Sequence, residues 1–365
     1  MNRNTFRIAL LAVCASAAMV VAGCSSGGTA GDESPAPSGS ESSSPASASS
    51  SSSSISDSSP SPSKTTTVRI GLSSWLGFAP AHVAETKGFY KEHGVDVELV
   101  PIEDPTQRIN SLKAGQIDAA LTTPDTWAHV IPQGVDAVQV WAMDASTGGD
   151  GILADKSIAS VADLAGKQVG VSQGSTSEFF LAYILAQNDM SLADVTEVNM
   201  TSDQAGAAFA AGQIDAAVTW EPWLTNAVKQ NTNGHVLVST EKYPTILADT
   251  LGFERGFLDD NKATAQAVVD ALAEAAAFIE SNPDEANQII ADANGISVDD
   301  LKGLLPTTHF FTSADNKKYF DPDADTGTLY TVFESASDFW KNAGIIDSMA
   351  DASTVISAEL VKNAS

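Results

Sequence analysis

The chain has 365 residues, of which 46 are acidic and 19 basic, and its formal net charge is −27. A surface this acidic repels phosphate backbones and anionic lipid head groups, so nucleic acid and anionic membrane surfaces are excluded as partners. The two cysteines are Cys14 and Cys24, and only Cys24 would survive the N-terminal processing described next. No disulfide, thiolate chemistry or Cys-ligated zinc is therefore expected.

Residues 1–23 have the pattern of a lipoprotein signal peptide. Two arginines precede an apolar run from Ile8 to Val21, and the sequence Val-Ala-Gly then leads to Cys24. The run is too short for an ordinary membrane span. A short transmembrane anchor is the alternative, but small residues before a cysteine and a polar tract after it favour a cleaved signal. We predict that Cys24 becomes the lipidated N-terminus of an extracytoplasmic, membrane-anchored protein.

Residues 24–66 predict a disordered tether. The segment is mostly Ser, Pro, Gly and Ala, so it cannot bury enough apolar surface to offset its ordering entropy. A coil of this length reaches roughly 35 Å. The rest of the chain is long enough for two lobes.

A heptapeptide occurs twice in this globular part. The sequence AGQIDAA begins at Ala114 and again, unchanged, at Ala211. A spacing of about a hundred residues is too long for most solenoid repeats, so the repeat predicts two lobes built on one plan. Upstream of each copy, residues 68–73 and 168–172 predict a buried strand that runs into a Ser-rich turn.

Each predicted strand leads into helix signals. Ser175 and Glu178 have the spacing of a capping box, and Pro80 suits a first helical turn. The repeats predict second strands, which end just before Pro124 and Pro222, and proline is favoured at the first helical position. In open α/β sheets, ligands bind beyond the carboxyl ends of the strands, where helix N-termini present free N–H groups. Each predicted lobe has two of these strand-to-helix junctions. We expect the four junctions to face one another and to form a polar cleft.

Two segments are candidates for a hinge. Residues 144–151 (DASTGGDG) and residues 243–253 both lie between the predicted lobes, and glycines absorb the dihedral changes of a hinge. An ordinary loop is the alternative for the first. Beyond them, helical patterns cover residues 263–279, 330–342 and 348–361.

From Val68 to about Val361 the chain resembles the substrate-binding proteins of ABC importers in the nitrate, sulfonate, taurine and thiamine-precursor group, often called SsuA-like. The motifs that carry the resemblance are WLGFAP at 75–80, KGFY at 87–90, the repeated AGQIDAA, GGDG at 148–151, DLAGK at 163–167, GSTS at 174–177 and WEPW at 220–223. Each is weak alone, but their order is specific.

The resemblance implies an α/β protein with the type II periplasmic-binding-protein fold, in which two crossover segments join two lobes. Lobe 1 would comprise residues 67–150 plus 252–365, and lobe 2 residues 151–251. A monomer would hold a small molecule between the lobes and deliver it to an ABC permease with its ATPase. Ligand contacts are implied at Ser73, Ser74, Trp75, Thr122, Thr123, Asp150, Ser175, Thr176, Trp220 and Glu221.

The types of these residues indicate what they would bind. Hydroxyls next to helix starts suit an oxyanion such as sulfonate or nitrate, with simple capping as the alternative. Trp75 and Trp220 would form apolar walls, although core packing is the rival for Trp220. Asp150 and Glu221 would repel a bare anion and pair with an amine, as in taurine. Alternatively, Glu221 caps the following helix and Asp150 bonds hinge amides.

Nothing in the sequence supports catalysis. The five histidines have no metal-ligand spacing, no cofactor motif follows a predicted strand, and no nucleophile elbow or phosphate loop is present. Two alternatives stay open. One is a sensory lipoprotein that uses the same cleft without transport. The other is an enzyme like the pyrimidine-precursor synthases of the wider family, although the mature chain lacks the cysteines of their iron-binding motif.

Overall fold

The computed structural model describes residues 67–243, 246–324 and 327–364. The predicted signal peptide, Cys24 and the tether lie outside the described residues. Within the described ranges, no helix combines the length and apolar character needed to cross a membrane.

Strands alternate with helices along most of the chain. The strands are β1 (Thr67–Leu72), β2 (Asp96–Pro101), β3 (Ala119–Thr122), β4 (Ala137–Ser146), β5 (Asp150–Asp155), β6 (Gln168–Val171), β7 (Thr196–Asn199), β8 (Ala216–Trp220), β9 (Gly234–Ser239), β10 (Ala248–Glu254) and β11 (Thr308–Phe310). The helices are α1 (Ala79–Lys87), α2 (Phe89–Glu92), α3 (Pro105–Lys113), α4 (Pro124–Val130), α5 (Thr176–Ala186), α6 (Ser202–Ala210), α7 (Trp223–Gln230), α8 (Arg255–Asp260), α9 (Lys262–Ser281), α10 (Pro283–Asn294), α11 (Val298–Leu304), α12 (Ser313–Tyr319), α13 (Leu329–Asn342), α14 (Ala352–Val355) and α15 (Glu359–Asn363).

The strands form two sheets of the same plan. The first has the order β11-β4-β10-β3-β1-β2 and the second β7-β6-β8-β5-β9. In each sheet one strand, β1 or β6, lies between two parallel neighbours. The strand that follows a crossing from the other sheet, β10 or β5, runs antiparallel. The predicted α/β fold with two similar lobes is confirmed.

The repeated heptapeptide leads into β3 and β8, and in each case one more strand than expected lies between it and the first predicted strand, β1 or β6. These additional strands, β2 and β7, lie at the sheet edges, where their side chains are only partly buried. Charged or polar residues interrupt the apolar ones in both strands, because one side of an edge strand faces solvent. The apolar pattern therefore identified the central strands and missed those at the edge.

The aspartate of each repeat has the same structural role. The Asp118 carboxylate accepts hydrogen bonds from the backbone N–H of Arg69 at 2.8 Å and from its guanidinium at 2.6 Å. The Asp215 carboxylate accepts a bond from the backbone N–H of Gln168 at 2.9 Å. Each aspartate thus fixes the start of the central strand beside it.

The isoleucine of each repeat packs where a glycine leaves room. A β-carbon on Gly71 would lie 2.5 Å from Cδ1 of Ile117, and one on Gly170 would lie 2.6 Å from Cδ1 of Ile214. Any side chain at either glycine would collide with the isoleucine. The repeat is thus explained by strand and core geometry and not by ligand contact.

Two chain segments cross between the sheets. β4 ends at Ser146 in the first sheet and β5 begins at Asp150 in the second, and the return runs from β9 to β10. The sheets therefore divide the chain slightly before the predicted limits at 150/151 and 251/252. The exact lobe limits and the hinge stay predictions.

The C-terminal part of the chain packs on the first sheet. The helices predicted over 263–279 and 330–342 are confirmed as α9 and α13. The continuous helix predicted over 348–361 is wrong, because α14 and α15 are separate short helices. Between them Ile356 is extended, and the Ser357 N–H donates to the Gln139 carbonyl of β4 at 2.9 Å. Pairing with the sheet interrupts the helix.

Candidate functional site

A small cavity lies between the two sheets, where the carboxyl ends of their strands meet. Its accessible volume is about 30 Å³. Eight of the ten predicted site residues line it: Ser73, Trp75, Thr122, Thr123, Asp150, Ser175, Thr176 and Trp220. The structure thus brings together residues from both sheets, although their roles as ligand contacts stay predictions.

Helix starts supply much of this lining, as the strand-end argument anticipated. α4 begins directly after Thr123, and α5 begins directly after Ser175. The Ser175 hydroxyl accepts from the Ser177 N–H at 3.1 Å and donates to the Ser172 carbonyl at 2.6 Å. Capping therefore occupies the Ser175 hydroxyl, whereas Thr176 is placed to face the other sheet.

Hydrogen bonds join the two lobes across the cavity. The hydroxyl of Thr176 in the second lobe is bonded to that of Thr123 in the first and lies 3.3 Å from that of Thr126. The indole Nε1 of Trp220 donates to the Ser74 carbonyl at 3.1 Å. These contacts hold the lobes together, so the structure represents a closed arrangement.

The two remaining predicted residues, Ser74 and Glu221, do not line this cavity. The Ser74 N–H and hydroxyl donate to the Glu103 carboxylate at 2.9 and 3.0 Å. The Glu221 carboxylate accepts from the N–H and hydroxyl of Thr225 at 3.1 and 2.6 Å. This is the capping alternative for Glu221. α7 begins one residue later than expected, because Pro222 is its N-cap.

Four buried aspartates surround or adjoin the cavity. Asp150 and Asp249 line it directly. Asp249 lies opposite Asp144 in the β4–β10 pair, so two carboxylates share one face of the sheet. The Trp75 indole donates to one oxygen of Asp144 at 3.1 Å, and no described residue donates to its other oxygen.

Burial makes these carboxyls poor acids. It raises the pKa of Asp150 to about 7, with the charge of Glu221 adding to the effect. Burial likewise raises the pKa of Asp125 to about 7. For Asp144 and Asp249, burial together with the neighbouring carboxylates raises the pKa well above the ordinary value. Desolvation thus disfavours the charged form of each of these carboxyls.

Arg108 is the one basic side chain that lines the cavity within the described part of the chain. Its Nη1 donates to the Ile102 carbonyl at 2.8 Å, while its buried Nε has no described partner. Burial lowers the pKa of Arg108 to about 10, partly offset by the attraction of Asp249. A single guanidinium balances at most one of the four carboxylates.

No three acidic, histidine or cysteine side chains of the described residues are placed to hold one metal ion. Of the four aspartates, Asp150 and Asp249 line the cavity, and they come from different lobes. They suit a molecule with several polar groups better than a single ion.

The sequence indicated some of this site and missed the rest. Asp144 and Asp249 fall within the two predicted hinge segments, but nothing marked their side chains as facing a cavity. Asp125 follows the proline that signalled α4. Arg108 had no signal, since a basic residue on an amphipathic helix is usually solvated.

The two sheets, the paired crossings and the cleft at the strand ends define the fold of the periplasmic solute-binding proteins. A solved structure of this kind is the alkanesulfonate-binding protein SsuA from Xanthomonas axonopodis pv. citri bound to MOPS. It aligns with a TM-score of 0.67 and 20% identity over 80% of this chain and 98% of that one. Within this class, the chain belongs to the NMT1/THI5 like family, whose model matches residues 75–286.

Curated relatives agree with this assignment and confirm the resemblance drawn from the motifs. A protein of Brucella abortus named as a binding protein is 27% identical over 228 residues, which are 61% of this chain and 70% of the relative. The taurine-binding periplasmic protein of Escherichia coli is 23% identical over 283 residues, or 74% of this chain and 86% of the relative.

Proposed function

We propose that the chain is the extracytoplasmic solute-binding component of an ABC importer and that its ligand binds in the cavity between the two sheets. The observation that carries the proposal is the cavity itself, which lies between the two sheets and is lined by polar and aromatic side chains from both lobes. A ligand that contacts both lobes at once favours the closed state by the free energy of those contacts. The closed protein then docks on a permease, which works with its ATPase.

Family membership supports this function. Its relatives include a taurine-binding protein and an aliphatic sulfonates-binding protein, both of Escherichia coli. We infer that this chain binds a small polar ligand, similar in size to taurine, that carries an amine, a sulfonate or a nitrate-like group. The proposal that the protein delivers its ligand to a permease, and does not signal to a sensor, rests on these relatives.

We also infer that lipid on Cys24 anchors the protein outside the cell membrane and that the protein acts as a monomer. The arginine-led apolar run and the small residues before Cys24 support the anchor. In cells fed with labelled palmitate, the wild-type protein should take up label and sediment with membranes. A Cys24→Ala variant that is still labelled would refute the anchor.

The cleft is tested with protein purified from its own cells. Native mass spectrometry should reveal a co-purified small molecule on the wild-type protein. The double variant Thr176→Ala/Trp220→Ala should lose it, because one residue contacts the opposite lobe by its hydroxyl and the other by its indole. Thr232→Ala, at an exposed position, is the matched control. If a correctly folded double variant carries as much co-purified ligand as the wild type, the binding site lies elsewhere.

Closure is tested separately. Small-angle scattering should give a smaller radius of gyration for the loaded wild-type protein than for the emptied one. An unchanged radius at verified saturation would contradict the proposed mechanism.

A further inference from the structure

The carboxylate of Asp249 has no described hydrogen-bond donor, although it is buried and faces the cavity. The residue is 9% exposed, and within the described ranges no side chain or backbone N–H donates to it. Because Asp249 lines the cavity, a molecule that enters the cavity can donate to its carboxylate. A ligand N–H in this position would satisfy an acceptor that no described protein group pairs.

Asp150 presents a second carboxylate to the same space from the opposite lobe. It is 7% exposed and begins β5, while Asp249 lies in β10. A ligand that donates hydrogen bonds to both carboxylates would connect the lobes. Asp144 and Asp125 add negative charge behind them without contributing to the lining.

The positive charges near the cavity do not balance these acids. Arg108 contributes one unit, and the N-termini of α4 and α5 contribute about half a unit each at most. Roughly two positive charges thus oppose four carboxylates when all are ionised. A ligand with net positive charge closes this gap, whereas an anion or a zwitterion leaves it open.

Aromatic side chains complete the lining. Trp75, Trp220 and Phe78 border the cavity, and the indole N–H groups of both tryptophans are fixed by hydrogen bonds to Asp144 and to a backbone carbonyl. Rings held in this way offer faces to alkyl groups and to cations.

We propose that the cleft binds a small organic cation whose amine, amidine or guanidine N–H groups donate to Asp150 and Asp249, with its carbon skeleton against the aromatic rings. The inference rests on the proposed function, because it names the ligand class of that cleft. The raised pKa values of the two carboxyls agree with it, because burial disfavours their charged forms and a nearby cation favours them.

The test uses probes that share a three-carbon chain and differ in charge: 1,3-diaminopropane, propylamine, 3-aminopropanesulfonate and propanesulfonate. Each is titrated calorimetrically into the purified protein at equal ionic strength and about pH 8, where carboxyls of pKa about 7 are mostly ionised. The diamine and the amine should bind at least tenfold more tightly than propanesulfonate. The zwitterion should fall between them. Equal or tighter binding of the sulfonates, or no binding by either amine, overturns the proposal.

Variants test which carboxylates bind the diamine. Asp150→Asn and Asp249→Asn should each weaken binding of the diamine at least tenfold, since each replaces a charged acceptor by a neutral amide. Asp347→Asn, which removes a charge from an exposed position, is the matched control and should bind as the wild type does. Circular dichroism checks the fold of each variant. If the two cleft variants bind the diamine unchanged, the carboxylates are not its partners.

The outcome separates this inference from the proposed function. Tight binding of propanesulfonate with closure of the lobes would refute a cationic ligand while supporting a solute-binding protein. Binding of the diamine without any change in the radius of gyration would support the ligand class and contradict capture by closure.

Discussion

Replacing Asp150 by asparagine should stabilise the ligand-free protein, although it removes a predicted ligand contact. The residue is buried beside other carboxyls, and burial raises its pKa from the ordinary 3.8 to about 7. A shift of this size corresponds to ~4 kcal/mol of unfolding free energy, since each pKa unit is worth about 1.4 kcal/mol. Because the folded state binds the proton more tightly, this stability is fully present below about pH 4 and is lost as the pH rises to about 7.

The neutral asparagine avoids that loss. We expect Asp150→Asn to be more stable than the wild type by up to ~4 kcal/mol at about pH 8 and by only ~1 kcal/mol at about pH 4.5. Urea unfolding at both pH values measures the difference. Asp347→Asn, at an exposed position, should change stability by less than about 0.5 kcal/mol at either pH.

Two results would refute the reasoning. If Asp150→Asn is less stable than the wild type at high pH, the carboxylate has a favourable partner in the folded protein. If its effect is the same at both pH values, the carboxyl is not the titrating group. The expected gain in stability with loss of binding is typical of a site selected for its ligand.

Three further results are expected. Trp220→Phe should weaken ligand binding by roughly fivefold in calorimetry, because it removes one hydrogen bond between the lobes, worth about 1 kcal/mol; an unchanged affinity would show that this bond does not contribute to closure. Glu221→Gln should leave ligand affinity unchanged, because the carboxylate accepts hydrogen bonds from Thr225 in α7. A tenfold loss of affinity would show that Glu221 belongs to the binding site. Gly149→Ala should cost about 1–3 kcal/mol in urea unfolding, because its β-carbon would lie 2.5 Å from the ring of Trp75. Gly303→Ala, which meets nothing within 4 Å, is its control, and equal costs for both would contradict the clash.

Much of the fold could be predicted because local patterns and a repeat determine it. The apolar runs before Ser73 and Ser172 are central strands, and the serine and proline signals mark helix starts within one residue. The errors fall where a distant partner decides the structure. β2 and β7 were missed as edge strands, and the C-terminal helix is interrupted because Ser357 bonds to β4.

The cleft, too, could be predicted from the sequence only in part. Strand ends and helix starts are local features, so the sequence predicted that Thr123, Thr176 and Trp220 lie at three strand-to-helix junctions of one polar cleft. The capping role of Glu221 was also anticipated as an alternative. That its side chain turns away from the cavity depends on the path of α7, which no local pattern gives.

The sequence by itself determined the α/β class, the doubled plan and the positions of the strand-to-helix junctions, because these follow from periodicity, capping and an exact repeat. Only the tertiary structure brought Asp249 opposite Asp144 and placed Arg108 beside them. These residues come from segments far apart in the chain, and each looks like an ordinary solvated charge alone. Their burial around one cavity changes their pKa values, because the free energy of a charge depends on its surroundings in space.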